Sequence, residues 1–516
     1  MLPEFKNEPY TDFSQAENQR GMKEALSAVG EQLGGDYDLI IGGDRIKASE
    51  QFRSINPSRK DQVVGVFQKA SVEEAERALQ TALEVFPGWS RVDPAERAEH
   101  LFRAAAAMRR RRLELNAWMV IEEGKNWLEA DADVAEAIDF LEFYGREMIR
   151  YAGEQPLTPV PGEKNELVYI PLGAGVVIPP WNFPLAILTG MTSAALVAGN
   201  TVVLKPSSDS PAMGHLFMEI MEEAGLPPGV VNFLTGSGAA IGDTLVGHPR
   251  TRFISFTGSK AVGLGIVELA AKTAPGQIWI KRVIAEMGGK DAIVVDGETD
   301  LDRAADGVKT AAFGFQGQKC SACSRAIVVE DVYDRFVELL AEKTGTITVG
   351  DVADQKNYMG PVINQRAMDS IMEYIEIGKE EGRLITGGGP AGEGGFYIQP
   401  TIIADVDPRA RIAQEEIFGP VLAVIKARDF DHALQIANDT EYGLTGAVYS
   451  DNRDKLEKAK KIFHCGNLYL NRKCTGALVG GHPFGGFNMS GTDSKAGGRD
   501  YLLLYTQAKS ITEFTG

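Results

Sequence analysis

Cysteine is scarce in this chain: four residues, Cys320, Cys323, Cys465 and Cys474, among 516. That is too few to staple a fold of this length, so a disulfide scaffold is excluded and a reducing, cytoplasmic setting is expected. Cys320 and Cys323 have C-x-x-C spacing, but no second cysteine pair and no histidine cluster accompanies them, so no metal site is expected. Basic charge is also in short supply. Lys and Arg total 53 against 71 Asp and Glu, a net charge of −18, which argues against a nucleic-acid partner needing a basic footprint. A long apolar run is missing too. The stretch between Glu166 and Lys205 carries no charge, but Pro179, Pro180 and Pro184 cut it into pieces too short to span a bilayer. The first residues have neither an apolar run nor an Arg-rich, acid-poor character, so no export or transit signal and no membrane association are expected. Internal repeats and low-complexity linkers are absent, which implies closely packed lobes.

What is present is an α/β pattern. The length implies roughly three domains or lobes. Ser71-Val72-Glu73-Glu74 has capping-box form and Asp93-Pro94 opens an Ala/Arg-rich run, giving two helices over 71–118. A further helix is expected over 123–151, and strand pieces among the prolines of 152–173 suggest a protruding hairpin. From 174 onward short apolar strands alternate with helices, the signature of a parallel sheet covered on both faces. The alternation resumes with helix 301–318, a strand at Ala326–Val329, a helix over 331–345, and later strands near 397–404, 421–426 and 446–449. The polar tail 505–514 reads as an edge strand, paired with the 152–173 segment or with another subunit.

Two residues stand out chemically. Cys320 follows Gly314-Phe315-Gln316-Gly317-Gln318-Lys319, a run suited to an exposed turn, and Glu286 lies in Glu286-Met287-Gly288-Gly289-Lys290. A thiolate attacks a carbonyl and a carboxylate activates the water that releases the acid, so together they suit two-stage acyl chemistry. Glycines at 236, 238 and 242 miss the dinucleotide fingerprint by one position. Gly258 and Ser259 follow a strand and open a helix whose free N–H groups suit a pyrophosphate.

The motifs Pro180-Trp181-Asn182-Phe183-Pro184, Leu204-Lys205-Pro206-Ser207, Phe256-Thr257-Gly258-Ser259, Glu286-Met287-Gly288-Gly289-Lys290, Gly317-Gln318-Lys319-Cys320, Glu415-Glu416-Ile417-Phe418-Gly419-Pro420 and Pro483-Phe484-Gly485-Gly486 occur in this order. As a set they resemble the NAD(P)-dependent aldehyde dehydrogenase superfamily over roughly residues 35–515. The resemblance implies a modified Rossmann NAD-binding domain (1–151 and 174–290), an α/β catalytic domain (291–490) and an oligomerisation element (152–173 and 491–516). It implies a homodimer or higher homo-oligomer. Cys320 would be the nucleophile, Glu286 the base that activates water, and Asn182 with the Cys320 N–H the oxyanion donors. Lys205 and Glu416 would contact the two riboses of NAD, Gly258 and Ser259 the pyrophosphate, and Phe418 would pack near the nicotinamide.

Ala135–Phe140, Phe315–Ala322 and Asn471–Gly480 further resemble members that oxidise an amino-acid semialdehyde, L-glutamate γ-semialdehyde. That resemblance places Ser321, Gly476 and Ala477 at the substrate's α-carboxylate, Glu136 at its α-ammonium, and Phe183 and Phe484 beside its aliphatic chain. A general or different semialdehyde dehydrogenase is the alternative; CoA-acylating and phosphorylating enzymes fit less well, the first because Glu286 is present and the second because no histidine neighbours Cys320 in sequence. A non-catalytic family member is disfavoured by the joint presence of Cys320, Glu286 and Asn182. Strictly NAD-using members often carry Glu where this chain has Ser208, and a carboxylate there would repel a 2′-phosphate. NADP-supported turnover is therefore expected alongside the NAD reaction, and near-zero NADP turnover of the purified protein would contradict the Ser208 argument.

Overall fold

The computed structural model describes residues 3–516. Two seven-stranded sheets organise the chain. In the first, five parallel strands lie in the order Arg282–Glu286, Phe253–Thr257, Ala174–Ile178, Thr201–Leu204 and Val231–Phe233, and the antiparallel pair Leu39–Ile41 and Asp44–Ile46 extends the last edge. Val- and Ile-rich runs such as Thr201–Leu204 are buried throughout because helices cover both faces, so no polar alternation is needed. The chain runs outward from the central strand Ala174–Ile178 first to one side and then to the other. This reversal opens a crevice at the carboxyl ends of the strands, the usual ligand position in such sheets.

The second sheet has the order Arg383–Thr386, Thr401–Ala404, Val421–Ala427, Cys323–Val329, Asp291–Val295, Thr445–Tyr449 and Asn467–Leu470, parallel except for its first strand. Only Met287–Lys290 separate the edge strand of the first sheet from a central strand of the second. Arg325, almost wholly buried, braces this join. Its guanidinium donates to the Lys290 carbonyl at 2.9 Å and to the carbonyls of Ile436 and Ala437 at 3.0 and 2.9 Å, which end the helix Phe430–Asn438.

The region expected to hold two helices holds three: Val72–Trp89, Pro94–Arg110 and Arg112–Glu122. The capping box at Ser71 and Glu74 is formed, and Asp93 caps the helix that begins at Pro94. The next helix, Trp127–Ala152, is capped by Asn126. The helix at 301 ends at Phe313, where Gly314–Gly317 turn away. A helix Ala16–Gly30 and a small sheet of Gly35–Tyr37, Val63–Lys69 and Glu50–Ile55 complete the N-terminal part. Segment 152–173 does not fold back as a hairpin. It contributes one strand, Glu163–Pro171, which pairs antiparallel with Thr506–Phe514. That ribbon lies within the expected oligomerisation segments, whereas residues 491–494 of the second segment pack beside Glu286.

The central strand tolerates little added volume. A Cβ on Gly175 would lie 2.2 Å from the ring of Phe253, itself fully buried. Gly175→Ala is expected to destabilise the fold by about 1–3 kcal/mol through overpacking, seen as a lower thermal midpoint; an unchanged midpoint would contradict this packing.

Candidate active site

One cavity lies where the carboxyl edge of the first sheet faces the amino edge of the second. Cys320, Glu286, Glu136, Phe183, Ser321, Gly476, Ala477 and Phe484 all line it. Residues separated by more than 300 positions in sequence thus meet at one site. Phe140, Met191, His482 and Tyr501 also line the cavity and were not singled out in the sequence. The wall is mostly apolar, with a few convergent polar groups, as expected of a small-molecule site.

Cys320 precedes the strand Cys323–Val329 and is presented by an unusual turn. Phe315, Gln316 and Gly317 adopt φ of 48°, 57° and 69°, a left-handed run that L-residues avoid. Side chains hold it in place. Gln316 Nε2 donates to the carbonyls of Gly124 and Pro361 at 3.1 and 2.8 Å, and Gln318 Oε1 accepts from Ile363 N at 2.9 Å. Lys319 Nζ donates to both oxygens of Glu129, at 2.7 and 2.6 Å. Asn182, which follows the strand Ala174–Ile178, is buried and donates from Nδ2 to the Gln318 carbonyl at 3.0 Å. The amide's second N–H remains free of this bond. Asn182 is thereby tied to the backbone two residues before the thiol.

Glu286 ends the strand Arg282–Glu286 and lines the cavity. Ser494 Oγ donates to Oε1, the Gly486 N–H also supports the carboxylate, and Oε2 is buried without a partner. A Cβ on Gly491 would lie 3.1 Å from Oε2 and one on Gly485 3.0 Å from Oε1, so small residues form the cradle. Ser494 was missed in the sequence because it lies in the Gly-rich tail, more than 200 positions away, with no local signal.

The nucleotide-binding candidates sit at the carboxyl edge of the first sheet and across the crevice. Lys205 follows Thr201–Leu204 and is 5% exposed, not the surface cation that its residue type suggests. It donates to the carbonyls of Pro206 and Gly236, both at 3.1 Å, and has no carboxylate partner; burial lowers its pKa to about 8. The ammonium carries a third donor. Ser208 Oγ donates to the same Gly236 carbonyl at 3.1 Å. Ser259 caps the helix Lys260–Ala271 without a side-chain bond, which leaves its hydroxyl and the first-turn N–H groups available to an anion. Gly258 packs against the Phe256 ring, and a Cβ there would approach it to 2.6 Å. Across the crevice Glu416 accepts from Gly289 N at 3.1 Å, and any Cβ on Gly288 would collide with its carboxylate at 2.1 Å. Phe418, at φ 57°, meets Trp181 edge to face at 5.6 Å. A spare buried ammonium, an open helix N-terminus and a carboxylate fit the phosphates and hydroxyls of a dinucleotide such as NAD.

Desolvation dominates the electrostatics. Burial pushes the Cys320 thiol far above its ordinary value, and the carboxylates of Asp291, Glu416 and Glu286 push in the same direction. Burial lifts Glu286 to about 8, with Ser494 and Gly486 opposing the shift. Among the described residues no His, Cys, Asp and Glu group has the geometry of a metal site, and the four cysteines are unpaired. Glu286 is protonated in the folded state where the unfolded chain is already ionised, so its burial costs stability progressively from about pH 4.5 up to about pH 8 and holds constant above. Glu286→Gln is accordingly expected to gain thermal stability over the parent, with a gain that grows between pH 5 and pH 8; an equal gain at both pH values would contradict the raised carboxyl.

Comparison with known proteins bears on this geometry. The aldehyde dehydrogenase family model matches residues 45–511. A 1-pyrroline-5-carboxylate dehydrogenase of Geobacillus kaustophilus is 62% identical over 513 residues, covering 99% of this chain and all of the relative. The crystal structure of a 1-pyrroline-5-carboxylate dehydrogenase from Thermus with bound NAD is 51% identical, covers 99% of each chain and superposes with a TM-score of 0.98. Proline utilization A from Bdellovibrio bacteriovorus, 46% identical with a TM-score of 0.98, covers 99% of this chain, which spans only 53% of that longer protein. The chain belongs to the aldehyde dehydrogenase family.

Proposed function

We propose that this protein oxidises L-glutamate γ-semialdehyde, the open form of 1-pyrroline-5-carboxylate, to L-glutamate with NAD. The observation that carries this reading is the single cavity into which Cys320, Glu286 and every substrate-contact candidate converge. Cys320 loses its proton to solvent, and the thiolate sulfur bonds to the aldehyde carbon as the carbonyl π pair moves onto oxygen, giving the thiohemiacetal oxyanion. The free N–H of Asn182 and the Cys320 N–H hold the oxyanion, and a donor of this kind contributes about 10²–10³ in rate. Bound NAD would supply the hydride acceptor, and loss of hydride from this carbon as the oxyanion re-forms C=O turns the Cys320 adduct into a thioester. Glu286 then takes a proton from water as the water attacks the thioester, and glutamate leaves with the thiol restored.

Substrate selection rests on the far wall. Ser321 and the backbone of Gly476 and Ala477 receive the α-carboxylate, and Gly476 has φ 80°, which lets its backbone approach closely. Glu136, one wall of the cavity, is raised to about 8 by burial. An α-ammonium beside it would draw that value back down and pair with the carboxylate. Phe183 and Phe484 flank the carbon chain. On the cofactor side Lys205, Ser208, Gly258, Ser259 and Glu416 bind the dinucleotide and Phe418 packs near its nicotinamide; Ser208 in place of a carboxylate leaves room for NADP.

The Glu163–Pro171 and Thr506–Phe514 ribbon is the assembly element of a homo-oligomer. A two-stranded ribbon is marginal alone, and Phe514 is 80% exposed, an apolar tip that a second subunit would cover. The cytoplasm is the compartment that suits four unpaired cysteines. No helix among the described residues is long and apolar enough to cross a membrane.

Purified protein with NAD is expected to form NADH far faster from 1-pyrroline-5-carboxylate than from a plain aliphatic aldehyde of similar length. Equal or better turnover of the plain aldehyde would discard the substrate assignment while keeping the thioester chemistry. Glu286→Gln should give a burst of about one NADH per site and then turnover slowed at least ~10²-fold, the scale of one general base; unimpaired steady-state turnover would remove Glu286 from its role.

A further inference from the structure

We propose that Lys125 and Asp133 are positioning residues that keep the oxyanion donor Asn182 in register with the turn presenting Cys320. The two form an ion pair at 2.8 Å, and both side chains are fully buried. The pair touches both halves of the oxyanion pocket. Lys125 Nζ lies 4.2 Å from the ring centre of Phe183, the neighbour of Asn182, and 4.4 Å from that of Phe315, which starts the left-handed turn. The ammonium therefore sits between two aromatic rings on separate segments and attracts both. On the other side, Asp133 Oδ1 accepts from Ala186 N at 2.6 Å, which fixes the start of the helix Ala186–Val197 directly after Asn182-Phe183-Pro184. The backbone of Gly124, next to Lys125, accepts from Gln316 within the same turn.

Stability alone does not call for such a pair. Desolvating two charges offsets most of their attraction, and apolar replacements of similar volume are frequently neutral or stabilising. What an apolar pair lacks is one cation shared by two rings together with an acceptor for Ala186 N. The consequence is geometric: without the clamp, Phe183 and Phe315 lose their common partner, and the placement of the Asn182 amide against Cys320 keeps the Asn182–Gln318 hydrogen bond but loses this second constraint. A displacement of about 1 Å is enough to cost an enzyme roughly 10²-fold in rate.

The inference rests on the oxyanion role proposed above for Asn182 and Cys320. The test uses the full chain carrying Lys125→Met and Asp133→Asn together, so that neither member of the pair is left charged alone, beside Asn182→Ala and the parent. Stopped-flow NADH formation with NAD and 1-pyrroline-5-carboxylate separates the burst rate from its amplitude. The double variant is expected to show a burst rate lowered about 10²-fold, near that of Asn182→Ala, with an amplitude close to one per folded site. The burst rate is read at saturating substrate, because Phe183 also flanks the substrate chain and its release raises KM as well. A parental burst rate with reduced amplitude and melting temperature, alongside a slow Asn182→Ala, would show a purely structural pair and overturn the inference. If Asn182→Ala itself keeps the parental burst rate, the oxyanion assignment falls and the inference falls with it.

Discussion

The left-handed turn at Phe315–Gly317 is the constraint on which the site depends. Two consecutive non-glycine residues in that region cost about 1–2 kcal/mol each, and such strain persists only where surrounding contacts over-determine it. Here the contacts come from distant parts of the chain: Gly124 and Pro361 through Gln316, Ile363 through Gln318, and Asn182 through the Gln318 carbonyl. The turn carries Cys320 from the second sheet to the carboxyl edge of the first. Glu286 and the nucleotide-binding candidates stand at that edge because strands ending there leave their loops in the crevice.

Burial then governs the chemistry. The cavity wall is mainly apolar, so the thiol and the carboxylic acid both favour their neutral forms. The proposed nucleophile is the thiolate and the proposed base the carboxylate, so each must lose its proton against this burial. Ser494, the Gly486 N–H and the Lys495 charge oppose the burial penalty of Glu286, which keeps its pKa near the range where a base works at neutral pH.

Much of this was legible in the sequence, and the parts that were not share a physical cause. Parallel strands such as Thr201–Leu204 announce themselves as short apolar runs, and the Cys320 and Glu286 motifs stand out through their glycines. Lys205 and Glu136 read locally as solvated charges, because residue type carries no record of what covers it; their burial is decided by other elements. The expected hairpin at 152–173 is one strand of a ribbon; its pairing with the tail strand over 300 residues away is one of the two partners read for that tail, but no local turn residue marks so distant a contact. Ser494, Lys125 and Asp133 were unmarked for the same reason. Their roles exist only after Glu286, Phe183 and Phe315 have been brought to them.

The convergence of thiol and carboxylate on one substrate carbon is most directly tested by trapping the intermediate between them. Glu286→Gln protein mixed with NAD and 1-pyrroline-5-carboxylate, acid-quenched within the burst and digested, should yield the Cys320 peptide heavier by one glutamyl acyl group, with Cys323, Cys465 and Cys474 unmodified. NADH formed without any acyl group on Cys320 would contradict the thioester and with it the central role of this cysteine.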